Sequence, residues 1–145
     1  MMNREVMRFT IIVKLINMGS WKKILFYGAG LWFLPFLVSF IIFPLRTSHY
    51  ALFESIIVLA ISASTVLFGI RYLKDVKEGV FRESAVIGIA WLLISLGIDA
   101  PLFLFGGPML MSISQYVQQI GLKYFIIPVI TSGFGYLLKI NSTRK

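Results

Sequence analysis

Residues 84–105 form the hydrophobic stretch SAVIGIAWLLISLGIDAPLFLF, whose single formal charge is Asp99. The stretch is long enough to cross a bilayer as a helix, which takes about 20 mainly apolar residues. A carboxylate in the hydrocarbon costs roughly 2.5–3.5 kcal/mol on insertion scales, so such a residue normally faces protein or trapped water and has a partner. The stretch therefore predicts a membrane helix with a polar contact in its second half.

The composition of the whole chain agrees with a membrane location. Of its 145 residues, 58% are hydrophobic and 14% are charged, whereas soluble domains have about 25% charged residues. A net charge of +8 is typical of nucleic-acid-binding proteins when the lysines and arginines cluster on a soluble face. Here these residues lie between hydrophobic runs. We therefore expect a single transmembrane domain over residues 1–145 and no nucleic-acid partner.

Three more hydrophobic runs are long enough to cross a membrane. Together with residues 84–105, they predict an all-α membrane protein, a four-helix transmembrane bundle. Proline occurs inside the first and last runs, and membrane helices tolerate it there when neighbouring helices supply replacement contacts. The predicted spans are residues 24–43, 50–70, 84–105 and 121–138.

The segments outside the spans have distinct characters. Residues 1–23 are basic, and the run after them is too long for the hydrophobic part of a signal peptide, so we interpret it as a permanent anchor. Residues 109–119 have apolar side chains at helical spacing, which indicates a short helix on the membrane surface. Aromatic residues near span ends are expected to be interfacial anchors: Trp21, Tyr72 and Tyr124.

The basic residues predict the orientation. Of the 14 lysines and arginines, twelve lie in residues 1–23, in the linker 71–83 or in the tail 139–145. The other side has only Arg46, in the connection after the first span, and Lys123, at the start of the fourth span. Because cytoplasmic loops are enriched in Lys and Arg, both termini are predicted to be cytoplasmic (N-in/C-in) in a multi-pass protein of the cell membrane.

Several polar residues are predicted to share one depth. At about 1.5 Å per helical residue, Glu54, Asp99 and Lys123 each lie roughly 24–26 Å from the predicted cytoplasmic boundary. Arg46 and His49 lie near or just above that level. These five residues are the candidate site, a polar cluster inside the membrane.

The helical repeat indicates which faces carry this cluster. Small and hydroxyl residues mark the faces along which membrane helices approach one another. Such residues share a helix face with Asp99 on the third span and with Glu54 on the second, so both faces are predicted to point inward. The supporting residues are Trp91 and Ser95 on the third span, and Ser62 and Thr65 on the second.

Three interpretations of the cluster remain open. Glu54 and Asp99, neutralised by Lys123 and Arg46, can simply fix helix register and topology. Alternatively, the carboxylates line a hydrated pocket open to the outside and bind a proton, a cation or a basic solute. In the third interpretation, the two bases extend to the headgroups and pair with nothing.

The residue types limit the other chemistry. There is no cysteine and only one histidine, His49, so neither a Cys-based nor a His-based metal site is expected. No nucleophile elbow, phosphate loop, dinucleotide fingerprint or metalloprotease pattern occurs. The one catalytic arrangement available pairs the carboxyls of Glu54 and Asp99 near His49, and it is weakly specific. We therefore expect no catalytic residues, metal or cofactor.

A pattern runs through the last two spans: an acid before a glycine-containing span, a tryptophan, a late aspartate, and then a glycine, a base and a proline. Its members are Glu83, Gly88, Trp91, Asp99, Gly121, Lys123 and Pro128. The pattern resembles the C-terminal half of a group of small four-span prokaryotic membrane proteins. The resemblance implies a four-span topology and a pairing of Asp99 with Lys123, and it implies no activity.

For function, the sequence favours transport of a small solute or ion through an outward-facing polar pocket. Four spans leave little room for a pathway within one chain, so we expect an oligomer. The alternative is a non-catalytic membrane subunit or accessory protein that binds other transmembrane helices or anionic lipid. The expected partners are thus the lipid bilayer, together with further copies of the chain or another membrane subunit.

Overall fold

The computed structural model describes residues 3–7, 18–106 and 110–143, and no strand occurs in these three segments. Four long helices dominate: α1 (Met18–Ile41), α3 (Tyr50–Leu73), α4 (Val80–Leu104) and α6 (Ile126–Thr143). Two short helices, α2 (Leu45–Ser48) and α5 (Ile113–Gln119), lie between them, and a 3-10 turn (Gly121–Phe125) leads into α6. The predicted all-α four-helix bundle is confirmed.

All four predicted spans coincide with helices that are long and apolar enough to cross a membrane, so the chain is a multi-pass membrane protein. The helices extend beyond the predicted spans mainly at the end of the bundle that holds residues 74–79. There, charged residues continue the helix beyond its apolar part. At the opposite end, α1 stops at Ile41 and Pro44 precedes α2. Proline lacks the N–H that a continuing helix needs.

The helices are not ordered around the bundle as they are along the chain. α1 packs against α3 and α4, and α6 packs against the same two helices. α3 and α4 follow each other in sequence but lie diagonally and contact each other little. Residues 74–79 therefore cross the bundle at one end, which we term the linker end. α2 and α5 both lie at the opposite end, which we term the α2–α5 end.

Two glycines allow α4 and α6 to approach closely. A Cβ added at Gly88 would lie 2.8 Å from the Cα of Pro128 on α6, and one at Gly135 would lie 3.0 Å from the Cα of Phe81 on α4. Real Cβ atoms are rarely so close to a backbone. Small residues at helix contacts let membrane helices pack through van der Waals contact, which explains why the third and fourth spans form the tightest pair.

The interior is filled by side chains of all four spanning helices. Leu31, Ile87, Trp91 and Ile127 have no exposed surface. The indole N–H of Trp91 donates to the carbonyl oxygen of Ile24 at 3.0 Å, which fixes the ring between α4 and α1. This packing occupies the middle of the bundle, between the linker end and the polar residues described below.

Two of the three expected interfacial aromatics are instead buried. Tyr72 donates to Glu83 Oε1 at 2.6 Å, joining the last turn of α3 to the first turn of α4. Tyr124 donates to a carboxylate on α4. In both cases a carboxylate inside the bundle satisfies the hydroxyl, so the ring need not lie at a headgroup layer. Trp21 does have an exposed side chain, as expected of an anchor.

The short helix expected in residues 109–119 is present as α5. Ser112 and Gln115 form a capping box in which each side chain accepts from the other's backbone N–H. Ile113 and Val117 are exposed, while Tyr116 is buried and donates to the carbonyl of Leu96 at 3.3 Å. That bond ties α5 to α4 beside the candidate site.

Candidate functional site

A cavity of about 120 Å³ lies inside the bundle at the α2–α5 end. By the criterion of about 10–15 Å³ for one water, it has room for several waters or for a small organic group. Its walls come from α1, α2, α3, α4, the 3-10 turn, Met111 before α5 and Gln119 at the end of α5. The polar residues that line it are Trp32, Ser39, Arg46, Tyr50, Glu54, Asp99, Gln119, Lys123 and Tyr124.

Asp99 is the most buried acid of this cavity, with 5% of its surface exposed. Its Oδ1 accepts a hydrogen bond of 2.6 Å from the indole N–H of Trp32 on α1. Its Oδ2 accepts a short hydrogen bond from the hydroxyl of Tyr124 in the 3-10 turn. The two donors hold the carboxylate from both sides, so its position is fixed between α1 and the start of α6.

Glu54 and Lys123 form an ion pair across the cavity, between α3 and the 3-10 turn. Their side chains are 24% and 18% exposed, so the pair is more accessible than Asp99. A partly exposed pair retains some hydration and costs less to bury than a fully buried one. Glu54 and Lys123 neutralise each other. Of the two acids that line the cavity, Asp99 is then the one that no Lys, Arg or His of the described residues pairs with.

The expected pairing of Asp99 with Lys123 is wrong in this structure, because Lys123 binds Glu54 and Asp99 binds Tyr124. Consecutive side chains of a helical turn point about 100–120° apart, so two neighbouring residues face different helices. Lys123 therefore faces α3 while its neighbour Tyr124 faces α4.

The two remaining members of the predicted cluster have different positions. Arg46 of α2 is half-buried and lines the cavity. His49 is exposed and does not line it. His49 joins α2 to α3 and has non-helical backbone angles, φ −143° and ψ 66°. Its side chain therefore does not belong to a face of either helix. Four of the five residues therefore meet at one cavity, and His49 does not.

The predicted supporting residues face the interior but do not line the cavity. Trp91, Ser95 and Thr65 are fully buried, and Ser62 is half-buried. The hydroxyls of Ser62 and Thr65 donate to carbonyls one turn earlier in α3, both at 2.8 Å. These two residues are thus satisfied within their own helix, and their role is in helix packing.

Sequence reasoning did not identify either hydrogen-bond donor of Asp99. Trp32 is nine residues from Lys23, whereas Asp99 is sixteen from Glu83, which corresponds to depths that differ by roughly 10 Å. α1 is shifted along the bundle relative to α4, and the long indole of Trp32 covers the remaining distance to Asp99. The sequence offers one indication for Tyr124, because this residue adjoins Lys123 of the predicted cluster. Its position at the end of a span instead indicated an interfacial anchor.

Tyr116 borders this region from α5, outside the spans. Burial, and secondly the negative charge of Asp99, raise the pKa of the Tyr116 hydroxyl to about 12. It therefore remains protonated at physiological pH and keeps its hydrogen bond to Leu96. The contact between α5 and α4 is thus made by a neutral group.

Among the described residues, no three His, Cys, Asp or Glu side chains are arranged to hold a metal ion. No family model, curated protein or solved structure matches the chain. The geometry of the cavity is therefore the basis for any functional argument.

Proposed function

We propose that this protein is a small carrier that moves a cation or a basic solute across the cell membrane, with the cavity at the α2–α5 end as its outward-facing binding site. The proposal depends above all on one observation. Asp99 is buried in the cavity wall, and no Lys, Arg or His of the described residues pairs with it.

The neighbouring ion pair supports a functional role for Asp99. Glu54 and Lys123 already join two helices at this depth, so a second acid is not needed to fix their register. An intramembrane carboxylate is costly, and such residues are usually found on substrate or ion pathways. The partner of Asp99 is then a positive charge that enters from the cavity.

The packing below the cavity supports an alternating mechanism. Leu31, Trp91 and Ile127 fill the bundle between the cavity and the linker end, so a bound cation reaches only one side in this conformation. Carriers with a single site expose it to the two sides in turn. α4 packs most closely against α6, and movement of this pair against α1 and α3 would open the linker end.

Flux through reconstituted liposomes tests the proposal. Wild-type protein is expected to dissipate an imposed gradient of protons, of sodium or of a small amine, each followed separately, faster than empty liposomes do. Asp99→Asn keeps the size of the side chain but removes its charge, and we expect it to abolish this flux. The matched control is Asp75→Asn, because Asp75 lies at the linker end with 56% of its side chain exposed.

Two results would contradict the proposal. One is a flux that persists in Asp99→Asn at the wild-type rate. The other is wild-type protein that inserts and folds but moves none of the three solutes, which would favour a non-catalytic membrane subunit. Protein yield and thermal unfolding of each variant in detergent separate loss of transport from loss of fold.

A further inference from the structure

We infer that the cavity binds a small organic ammonium ion rather than a metal cation. The inference rests on the proposed function and specifies its substrate class. Three features of the cavity lead to it: aromatic walls, a carboxylate whose oxygens already accept hydrogen bonds, and a volume that matches a small ammonium group.

Aromatic rings form much of the cavity wall, and they come from every side. They belong to Trp32 and Phe36 on α1, to Tyr50 and Phe53 on α3, to Phe103 on α4, and to Tyr124 in the 3-10 turn. Trp32 and Phe36 stack with ring centroids 4.9 Å apart and planes 19° apart. Walls rich in aromatic rings bind quaternary ammonium groups through cation–π attraction.

The carboxylate in the wall suits an ammonium better than a metal ion. Both oxygens of Asp99 already accept hydrogen bonds, from Trp32 and Tyr124. A hard cation needs about six oxygen ligands in direct contact, and Glu54, the other acid in the wall, is bound to Lys123. An alkylated ammonium needs no inner-sphere ligand, so a fixed carboxylate at the cavity wall is a sufficient counter-ion.

Charge and volume limit the ligand further. Glu54 pairs with Lys123, and Asp99 and Arg46 carry one charge of each sign, so the four charged side chains of the wall sum to zero. A wall without net negative charge favours a monovalent cation beside the Asp99 carboxylate over a polyvalent one. A volume of about 120 Å³ accepts a head the size of a trimethylammonium group but not a large polycyclic cation. The expected ligand is thus a small monovalent amine or methylated ammonium.

The test is equilibrium binding of radiolabelled choline to the full chain in detergent or nanodiscs. Unlabelled choline should compete, whereas its neutral isostere 3,3-dimethylbutan-1-ol should compete at least tenfold more weakly, because it has the shape without the charge. Sodium chloride, balanced with a second salt for ionic strength, should not displace choline. This comparison uses only wild-type protein, so it does not depend on the folding of any variant.

Variants locate the site. Phe36→Leu is expected to weaken choline binding about threefold or more through the lost cation–π contact. Its control is Phe26→Leu on the same helix, because Phe26 is 73% exposed and does not line the cavity. Asp99→Asn should abolish binding while its thermal unfolding remains cooperative. Equal binding of choline and its isostere, displacement by sodium, or no effect of Phe36→Leu would each overturn the inference.

Binding and flux together separate this inference from the proposed function. Flux of sodium or protons that depends on Asp99, without choline binding, overturns the ammonium specificity and leaves the carrier. Choline binding that depends on Asp99, without flux of any solute, supports the site and overturns the carrier. The absence of both overturns both.

Discussion

Two neighbouring residues, Lys123 and Tyr124, bind different acids of the cavity. Lys123 neutralises Glu54, and Tyr124 joins Trp32 in holding Asp99 through neutral donors. Hydrogen bonds to a charged group are stronger than those between neutral groups. The two acids that line the cavity therefore have different chemistry: Glu54 is in an ion pair, and Asp99 accepts hydrogen bonds from neutral donors.

This division predicts which double substitution restores stability. Glu54→Gln leaves Lys123 without its acid and should lower the free energy of unfolding by about 1–3 kcal/mol. Adding Lys123→Met should recover much of that loss, because it removes the unpaired charge. The same Lys123→Met should not rescue Asp99→Asn, since the two residues are not paired. Chemical unfolding of the single and double variants in detergent measures these couplings.

Rescue of Asp99→Asn by Lys123→Met, without rescue of Glu54→Gln, would contradict the observed pairing. It would instead support the partners that the sequence pattern implied.

At the scale of the elements, the contact between α4 and α6 organises the bundle. Gly88 and Gly135 bring the two backbones together, and this proximity places the 3-10 turn against the end of α4. Tyr124 can reach Asp99 only because the turn starts there. The shape of the cavity therefore depends on a glycine contact that lies several turns away from it.

A matched pair of substitutions on α6 tests this contact. Gly135→Ala adds a methyl that would overlap Ser84 and approach the Cα of Phe81, so it should destabilise the fold by about 1–3 kcal/mol. Gly133→Ala adds the same methyl two residues away, where no atom of another helix lies within 4 Å. It should be neutral or stabilising by up to about 1 kcal/mol, since alanine favours helix over glycine.

Thermal unfolding of the two variants in the same detergent is the measurement. If both alanines had the same effect, the close approach of α4 and α6 would not be the cause.

At the scale of the whole molecule, the two ends of the bundle differ in charge and in packing. The linker end has most of the described basic residues, and there Lys23 lies 3.6 Å from Asp75 in an exposed ion pair. The α2–α5 end has the cavity and only two described bases, Arg46 and Lys123. This asymmetry is the basis for proposing that the cavity opens to the outside of the cell.

The orientation can be measured directly because the chain contains no cysteine. A single cysteine at an exposed position of either end, Ser48→Cys in α2 or Lys77→Cys in the linker, is then the only thiol in the protein. A membrane-impermeant maleimide should label Ser48→Cys in intact cells and Lys77→Cys only after permeabilisation. The opposite pattern would mean that the cavity faces the cytoplasm.

Hydrophobicity and charge, read along the chain, were enough to predict the four helices. They also grouped Glu54, Asp99, Lys123 and Arg46, which line one cavity, with His49, which does not. Hydrophobicity and charge are local properties, because a membrane helix needs a fixed length of apolar residues and rises by a fixed amount per residue. Helical periodicity also predicted that the faces of Trp91, Ser95 and Thr65 point inward, as their burial confirms.

Only the tertiary structure decided which polar residue meets which. Packing between distant segments decides three features: the diagonal placement of α3 and α4, the offset of α1 that brings Trp32 to Asp99, and the contacts of Lys123 with α3 and of Tyr124 with α4. A periodic pattern fixes the face and depth of a side chain, but it does not fix the order, offset or rotation of neighbouring helices. Those depend on shape complementarity at contacts such as Gly88 with Pro128, which no single segment encodes.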